Sequence, residues 1–162
     1  MFAAQQQSTA PTVPRVVNVL VKIILRSPLH GLMSKNRMLL TFRGRKSGKV
    51  YTTPVSYFRE GENIVCFTDS SWWKNLRGGA PVRMHLSGRD VAGMAYPIDT
   101  NTEAIARGLG RMLQMIPSDA RYYQVMVGPN GQLSASGLLR AAHTNAMIRI
   151  HLVNEGEQGP VV

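Results

Sequence analysis

Short runs of alternating, β-branched and aromatic residues, closed off by glycine turns, constrain this chain more than any other feature. Met38-Leu39-Leu40-Thr41-Phe42 reads as a strand, with Val50-Tyr51-Thr52-Thr53-Pro54-Val55-Ser56-Tyr57-Phe58 returning across a basic turn at 44–48. Glu60-Gly61-Glu62-Asn63 makes a second hairpin turn, followed by Ile64-Val65-Cys66-Phe67-Thr68. Two more strands, over 82–86 and 90–98, flank Ser87-Gly88, and a last one covers 146–153. Strands joined by turns this short pair antiparallel. The pattern predicts a six- or seven-stranded antiparallel sheet. Its simplest form is a small closed or half-closed barrel, in a mainly β fold with peripheral helices.

Helical periodicity surrounds this set. After Pro14, the stripe Val16, Val17, Leu20, Ile23 and Ile24 has spacings near three and four, and Ser27-Pro28 ends it. A second helical pattern runs over 100–127 through Ile105, Leu109, Met112, Leu113 and Ile116. Residues 128–137 are turn-rich, and 138–143 extend a helix. The organisation expected is a tail at 1–13, an amphipathic helical segment at 14–36, and a barrel domain at 37–154. That domain carries a helical insertion at about 100–143, and a short tail follows at 155–162. The apolar run at 16–25 is interrupted by Asn18 and Lys22, well short of the roughly 20 residues a membrane span needs. Without a convincing secretory signal, and with Cys66 as its one cysteine, the chain reads as reduced and cytoplasmic.

Charge narrows the partners. Residues 1–59 hold ten basic side chains and no acidic one, whereas residues 60–162 hold nine of each. The whole excess of +10 therefore sits in the first third of the chain. Such a field suits a phosphate-bearing cofactor, an anionic lipid or nucleic acid. A cationic amphipathic stretch at 15–32 would suit a peripheral contact at the inner face of the membrane. Nucleic acid is disfavoured, because aromatic residues are few and no RNA- or DNA-binding module is present.

Two stretches gather the candidate site residues. Gly44-Arg45-Lys46-Ser47-Gly48-Lys49 joins glycine freedom to exposed amides and cationic side chains, which suits phosphate or carboxylate oxygens. It is not a Walker A loop, since three residues separate the glycines and Val50 follows Lys49. Trp72-Trp73-Lys74-Asn75-Leu76-Arg77 holds both tryptophans of the chain. Neighbouring residues cannot both face inward from a helix, so one indole is expected to line a groove beside Lys74 and Arg77. His30, His85, His143 and His151 show no metal-ligand spacing, and no metal is expected. A nucleophile elbow is missing, and Cys66 reads as a small core residue. Tyr122 and Tyr123, on the late helical segment, could present phenols to a pocket.

The ordered set Leu39-Leu40-Thr41-x-x-Gly44-Arg45-Lys46-Ser47-Gly48, Thr53-Pro54 and Trp72-Trp73-x-Asn75-Leu76 resembles the deazaflavin (coenzyme F420)-dependent nitroreductase family. The resemblance covers roughly residues 15–98. It implies a split β-barrel of the pyridoxamine-phosphate-oxidase-like, FMN-binding kind, usually a homodimer, with the cofactor in a groove beside the barrel. It puts the phosphate and oligoglutamate tail of F420 near Arg45, Lys46, Ser47 and Lys49. Thr53, Pro54, Val55 and Thr68 would line the ring system, and Trp72, Trp73 and Asn75 would close over it. FMN is the alternative cofactor. The implied activity is hydride transfer from reduced F420 to a conjugated, electron-poor acceptor: a quinone, nitroaromatic or enone. Tyr122, Tyr123 and Ser56 are candidate proton donors. Ser56 stands where a tyrosine is common after the strand proline. The alternatives are a non-catalytic carrier of F420, FMN, fatty acid or a tetrapyrrole, and a membrane-surface binding protein.

Overall fold

The computed structural model describes residues 35–153. The amphipathic segment expected at 14–36 lies almost wholly outside the described residues, as do the stretch at 15–32 and the tails at 1–13 and 155–162. Six strands form: β1 (Arg37–Arg43), β2 (Val50–Glu60), β3 (Asn63–Thr68), β4 (Ala80–Leu86), β5 (Arg89–Ile98) and β6 (Ala146–Leu152). They close a barrel in the order β1-β2-β3-β6-β5-β4, antiparallel throughout, with β4 pairing back onto β1. The mainly β expectation holds, with six strands and full closure. Two helices, α1 (Thr102–Met115) and α2 (Ala135–Thr144), lie between β5 and β6. None of the described helices is long and apolar enough to cross a membrane.

Side chains alternate along a strand, so one face of each strand fills the barrel. Met38, Leu40 and Phe42 of β1 meet Val82, Met84 and Leu86 of β4 and Ile148 and Ile150 of β6 inside it. On β3 both faces are covered, which explains its unbroken apolar run. Ile64 and Cys66 enter the barrel, while Val65 and Phe67 pack outside it beneath Ile105, Leu109, Met112 and Leu113 of α1. Those four recur at helical spacing, and the Asn101 side chain caps α1 by accepting from Ala104 N at 3.0 Å.

The helix expected to run to residue 127 stops at Met115. Proline disfavours the helical conformation in the residue before it, and Ile116 ahead of Pro117 sits at φ −128°, ψ 70°. A short 3-10 turn, Pro117–Arg121, follows. Tyr122 and Tyr123 therefore lie on an irregular segment and not on a helix. Val127 bridges Leu133, and α2 begins at Ala135, three residues before its expected start.

One discontinuity in the barrel matters for function. The first half of β2 pairs with β1, from Arg43↔Val50 to Arg37↔Ser56. Its second half pairs with β3, starting only at Tyr57↔Cys66. Between 50 and 56, β2 therefore has no partner on the β3 side. Tyr57 N donates to Asn36 O at 2.9 Å, on the β1 side. By the strand's alternation, the polar backbone groups of Thr52, Pro54 and Ser56 face the gap. Pro54, which has no amide hydrogen, sits where β1 needs none.

Candidate functional site

A cavity of about 260 Å³ occupies that gap. Its floor is Thr53, Pro54, Val55 and Ser56 of β2; Phe67 and Thr68 end the opposite strand. The 3-10 turn Ser71–Leu76 brings Trp72 against one end. Trp72 stacks on Phe42 at 5.1 Å between centroids and 24° between planes, and Tyr51 backs Phe42 at 5.7 Å. The indole is thus held as a flat wall. Thr68 Oγ1 accepts from Ser70 N at 3.1 Å, fixing the start of the turn.

The other flank comes from the segment after α1. Asp119, buried to 7% exposure, accepts from Arg37 Nη2 at 2.8 Å through one carboxylate oxygen and from Ser56 Oγ at 2.5 Å through the other. Its backbone carbonyl also accepts from Tyr122 N and Tyr123 N, at 2.9 and 3.3 Å. One residue thereby ties the tyrosines to β1 and β2. Tyr122 Oη donates to Asp69 Oδ1 at 3.5 Å, a long contact on an exposed side chain. Burial first, and the Asp69 carboxylate second, raise the Tyr122 phenol above its ordinary value. Burial raises Tyr123 further. Both phenols are protonated at neutral pH. Beyond them a second chamber of about 400 Å³ is lined by Gln124, Arg140, Ala141, Thr144 and Asn145. It shares Asp69, Tyr122 and Tyr123 with the first.

The basic turn is well formed but stands outside the cavity wall. Gly44 N donates to Lys49 O at 2.8 Å and Gly48 N to Gly44 O at 2.9 Å. Gly48 has φ +66°, and a Cβ on Gly44 would lie 2.8 Å from both Ser47 Oγ and Tyr51 Cε2, so both glycines are required. Among the described residues Arg45, Lys46 and Lys49 form no ion pair. Asn75 fastens this turn to the tryptophan turn: its Oδ1 accepts from Arg45 N at 3.1 Å, and its Nδ2 donates to Trp72 O at 2.9 Å.

Of the residues singled out in the sequence, Thr53, Pro54, Val55, Ser56, Thr68, Trp72, Tyr122 and Tyr123 meet in one cavity. Arg45, Lys46, Ser47, Lys49, Trp73 and Asn75 do not line it. Trp73 packs against the barrel with the Arg77 guanidinium 4.8 Å from its ring centroid. Sequence reasoning missed Arg37, Asp69 and Asp119, because nothing local marks an ion pair between residues 82 positions apart.

Cys66 is fully buried in the barrel, and burial pushes its thiol up to about 12. The unfolded chain titrates near the ordinary 9, so stability is unaffected below that pH and falls as pH rises from about 9 towards 12. An aromatic disulfide reagent at about pH 8 is expected to leave the native thiol intact and to modify it on denaturation. Stoichiometric reaction of the native protein at the unfolded rate would contradict this burial.

A model of the F420H2-dependent quinone reductase family matches residues 27–129. The chain belongs to that family. It is accordingly an F420-dependent oxidoreductase. No curated protein sequence matches it. Among solved structures, the conserved hypothetical protein Rv2991 from Mycobacterium tuberculosis is 15% identical, with a TM-score of 0.53 over 93% of this chain and 87% of that one. HutZ, the heme storage protein from Vibrio cholerae, is 10% identical, with a TM-score of 0.51 over 83% and 92%. A protein of unknown function from Agrobacterium tumefaciens is 16% identical, with a TM-score of 0.50 over 75% of this chain and 50% of that one, so the chain spans half its length. These likenesses concern the fold, which is the split barrel expected from the sequence.

Proposed function

We propose that the gap between β2 and β3 receives the ring system of F420, that the basic turn holds its tail, and that the tyrosine side admits a quinone. The observation carrying this reading is the juxtaposition of an unpaired strand edge, a fixed indole and a cationic hairpin bonded to the indole's own turn. The residues suit the cofactor. Backbone polar groups at Thr52, Pro54 and Ser56 match a heterocycle edge, and the cations of Arg45, Lys46 and Lys49, which form no ion pair among the described residues, match phosphate and carboxylates.

When bound, reduced F420 supplies a hydride. The chain's own part is to hold ring and acceptor face to face and to keep water out. Trp72 and β2 fix one plane; Tyr122 and Tyr123 cover the other side and border the second chamber. A quinone gaining a hydride on one oxygen still needs a proton for the other. Tyr122 suits that delivery, since its phenol is protonated at neutral pH, its bond to Asp69 is long at 3.5 Å and so leaves the hydrogen loosely held, and its 67% exposure lets solvent reload it. Ser56 suits it less, because its hydroxyl hydrogen is committed to Asp119.

Titration with F420 and separately with FMN, followed by tryptophan fluorescence, is expected to show saturable quenching by F420 that weakens with salt. Single-turnover mixing of the reduced complex with a short-chain naphthoquinone should then oxidise the cofactor. Binding without oxidation by quinones, nitroaromatics or enones would make the chain a carrier instead.

A further inference from the structure

We infer that Asp119 is a positioning residue which turns Ser56 into an obligate hydrogen-bond acceptor at the gap, so that the cofactor edge lying there must present a hydrogen-bond donor. The inference rests on the reading that the gap holds the deazaflavin ring.

A serine hydroxyl has one hydrogen and two lone pairs. At Ser56 the hydrogen points to Asp119 Oδ2, 2.5 Å away, and the carboxylate cannot return one. Asp119 is fixed in this role from behind by Arg37, so its carboxylate stays paired and does not swing away. Ser56 itself is buried to 8% exposure and lines the cavity. What it can offer a ligand is a lone pair. Arg37 lines the same cavity, and the only hydrogen bond its guanidinium makes among the described residues is to Asp119. Side by side, the two supply an acceptor and a donor.

That couple complements an imide edge, in which N–H sits between carbonyl oxygens. The pyrimidinedione end of a deazaflavin carries such an edge. Its opposite end carries a single hydroxyl, which can donate to Ser56 but has no carbonyl oxygen beside it to accept from Arg37. The trio Arg37–Asp119–Ser56 therefore orients the ring end to end in the gap, with the imide nitrogen towards β2 residue 56 and the phenolic end away from it.

The test uses ring fragments alone: 8-hydroxy-5-deazariboflavin and its N3-methyl derivative, titrated against the full-length protein by deazaflavin fluorescence. Methylation removes the donor. Wild type is expected to bind the methylated fragment about tenfold more weakly, the cost of leaving a buried acceptor unpaired. Ser56→Ala removes the acceptor and should bind both fragments alike. Asp119→Asn reverses the polarity: the amide donates to Ser56 Oγ, freeing the hydroxyl hydrogen to face the ligand, and the discrimination should again collapse. A merely structural role for Asp119 would weaken both fragments equally and preserve their ratio. If wild type binds F420 but does not distinguish the two fragments, this inference is overturned while the functional reading stands. If wild type binds neither F420 nor the fragments, the functional reading fails and this inference with it. Should Asp119→Asn not fold, Ser56→Ala alone decides between the outcomes.

Discussion

Replacing Arg45 and Lys46 together by alanine is expected to weaken F420 binding by about tenfold to a hundredfold, because charge-assisted contacts to phosphate and carboxylate oxygens are lost. The slope of affinity against salt should flatten in the same variant, as screening acts on fewer charge pairs. Affinity for 8-hydroxy-5-deazariboflavin, which has the ring but no anionic tail, should not change. The asymmetry follows from the geometry. The turn lies outside the cavity, and the backbone bond from Arg45 N to Asn75 Oδ1 survives in the variant, so the tryptophan turn stays in place. Equal affinity for whole F420 in wild type and double variant would show that the tail runs elsewhere on the basic lobe.

Trp72→Ala should have the opposite signature. Trp72 covers Phe42 and forms one wall of the gap, so its loss removes a stacking surface and uncovers the barrel end. Affinity for the ring fragment is expected to fall at least about tenfold, in line with the stacking contribution of an aromatic side chain. Unfolding free energy should drop by about 2–3 kcal/mol, below the usual range for a fully buried tryptophan because the ring is only half-buried. Trp72→Phe should restore most of both. Trp73→Phe, by contrast, should leave ring affinity untouched, since that indole faces Arg77 and the barrel flank. A ring affinity that depends on Trp73 and not on Trp72 would place the cofactor on the wrong side of the turn.

The elements most legible in the sequence were those set by local chemistry. Alternation fixed the strands to within two residues of their observed ends, and the glycines marked the hairpin at 44–48 because the turn cannot form without them. The tryptophan pair is readable as one indole lining a groove: both rings pack against the barrel core, and Trp72 alone of the two borders the cavity. Less legible was anything that depends on who pairs with whom. The gap exists because β2 changes partner at Tyr57, and neither Thr53 nor Ser56 differs in type from a residue of a continuous sheet. The same holds for Asp119, which looks like an ordinary acid after a helix-ending proline until the fold brings Arg37 to it. Apolar spacing continues towards residue 127, but the helix ends at Met115 because Pro117 keeps Ile116 out of the helical conformation.

Two hydrophobic bodies meet at β3. Ile64 and Cys66 belong to the barrel interior, whereas Val65 and Phe67 belong to the helical layer that also carries Tyr123. The cavity draws on both: Trp72 packs on the barrel, while Phe67 and Tyr123 come from the helical layer and Asp119 from the segment that follows α1. On the proposed reading, changes in the helical layer therefore reach the acceptor side and the ring-orienting carboxylate together, so substrate preference and cofactor hold are expected to drift as one property.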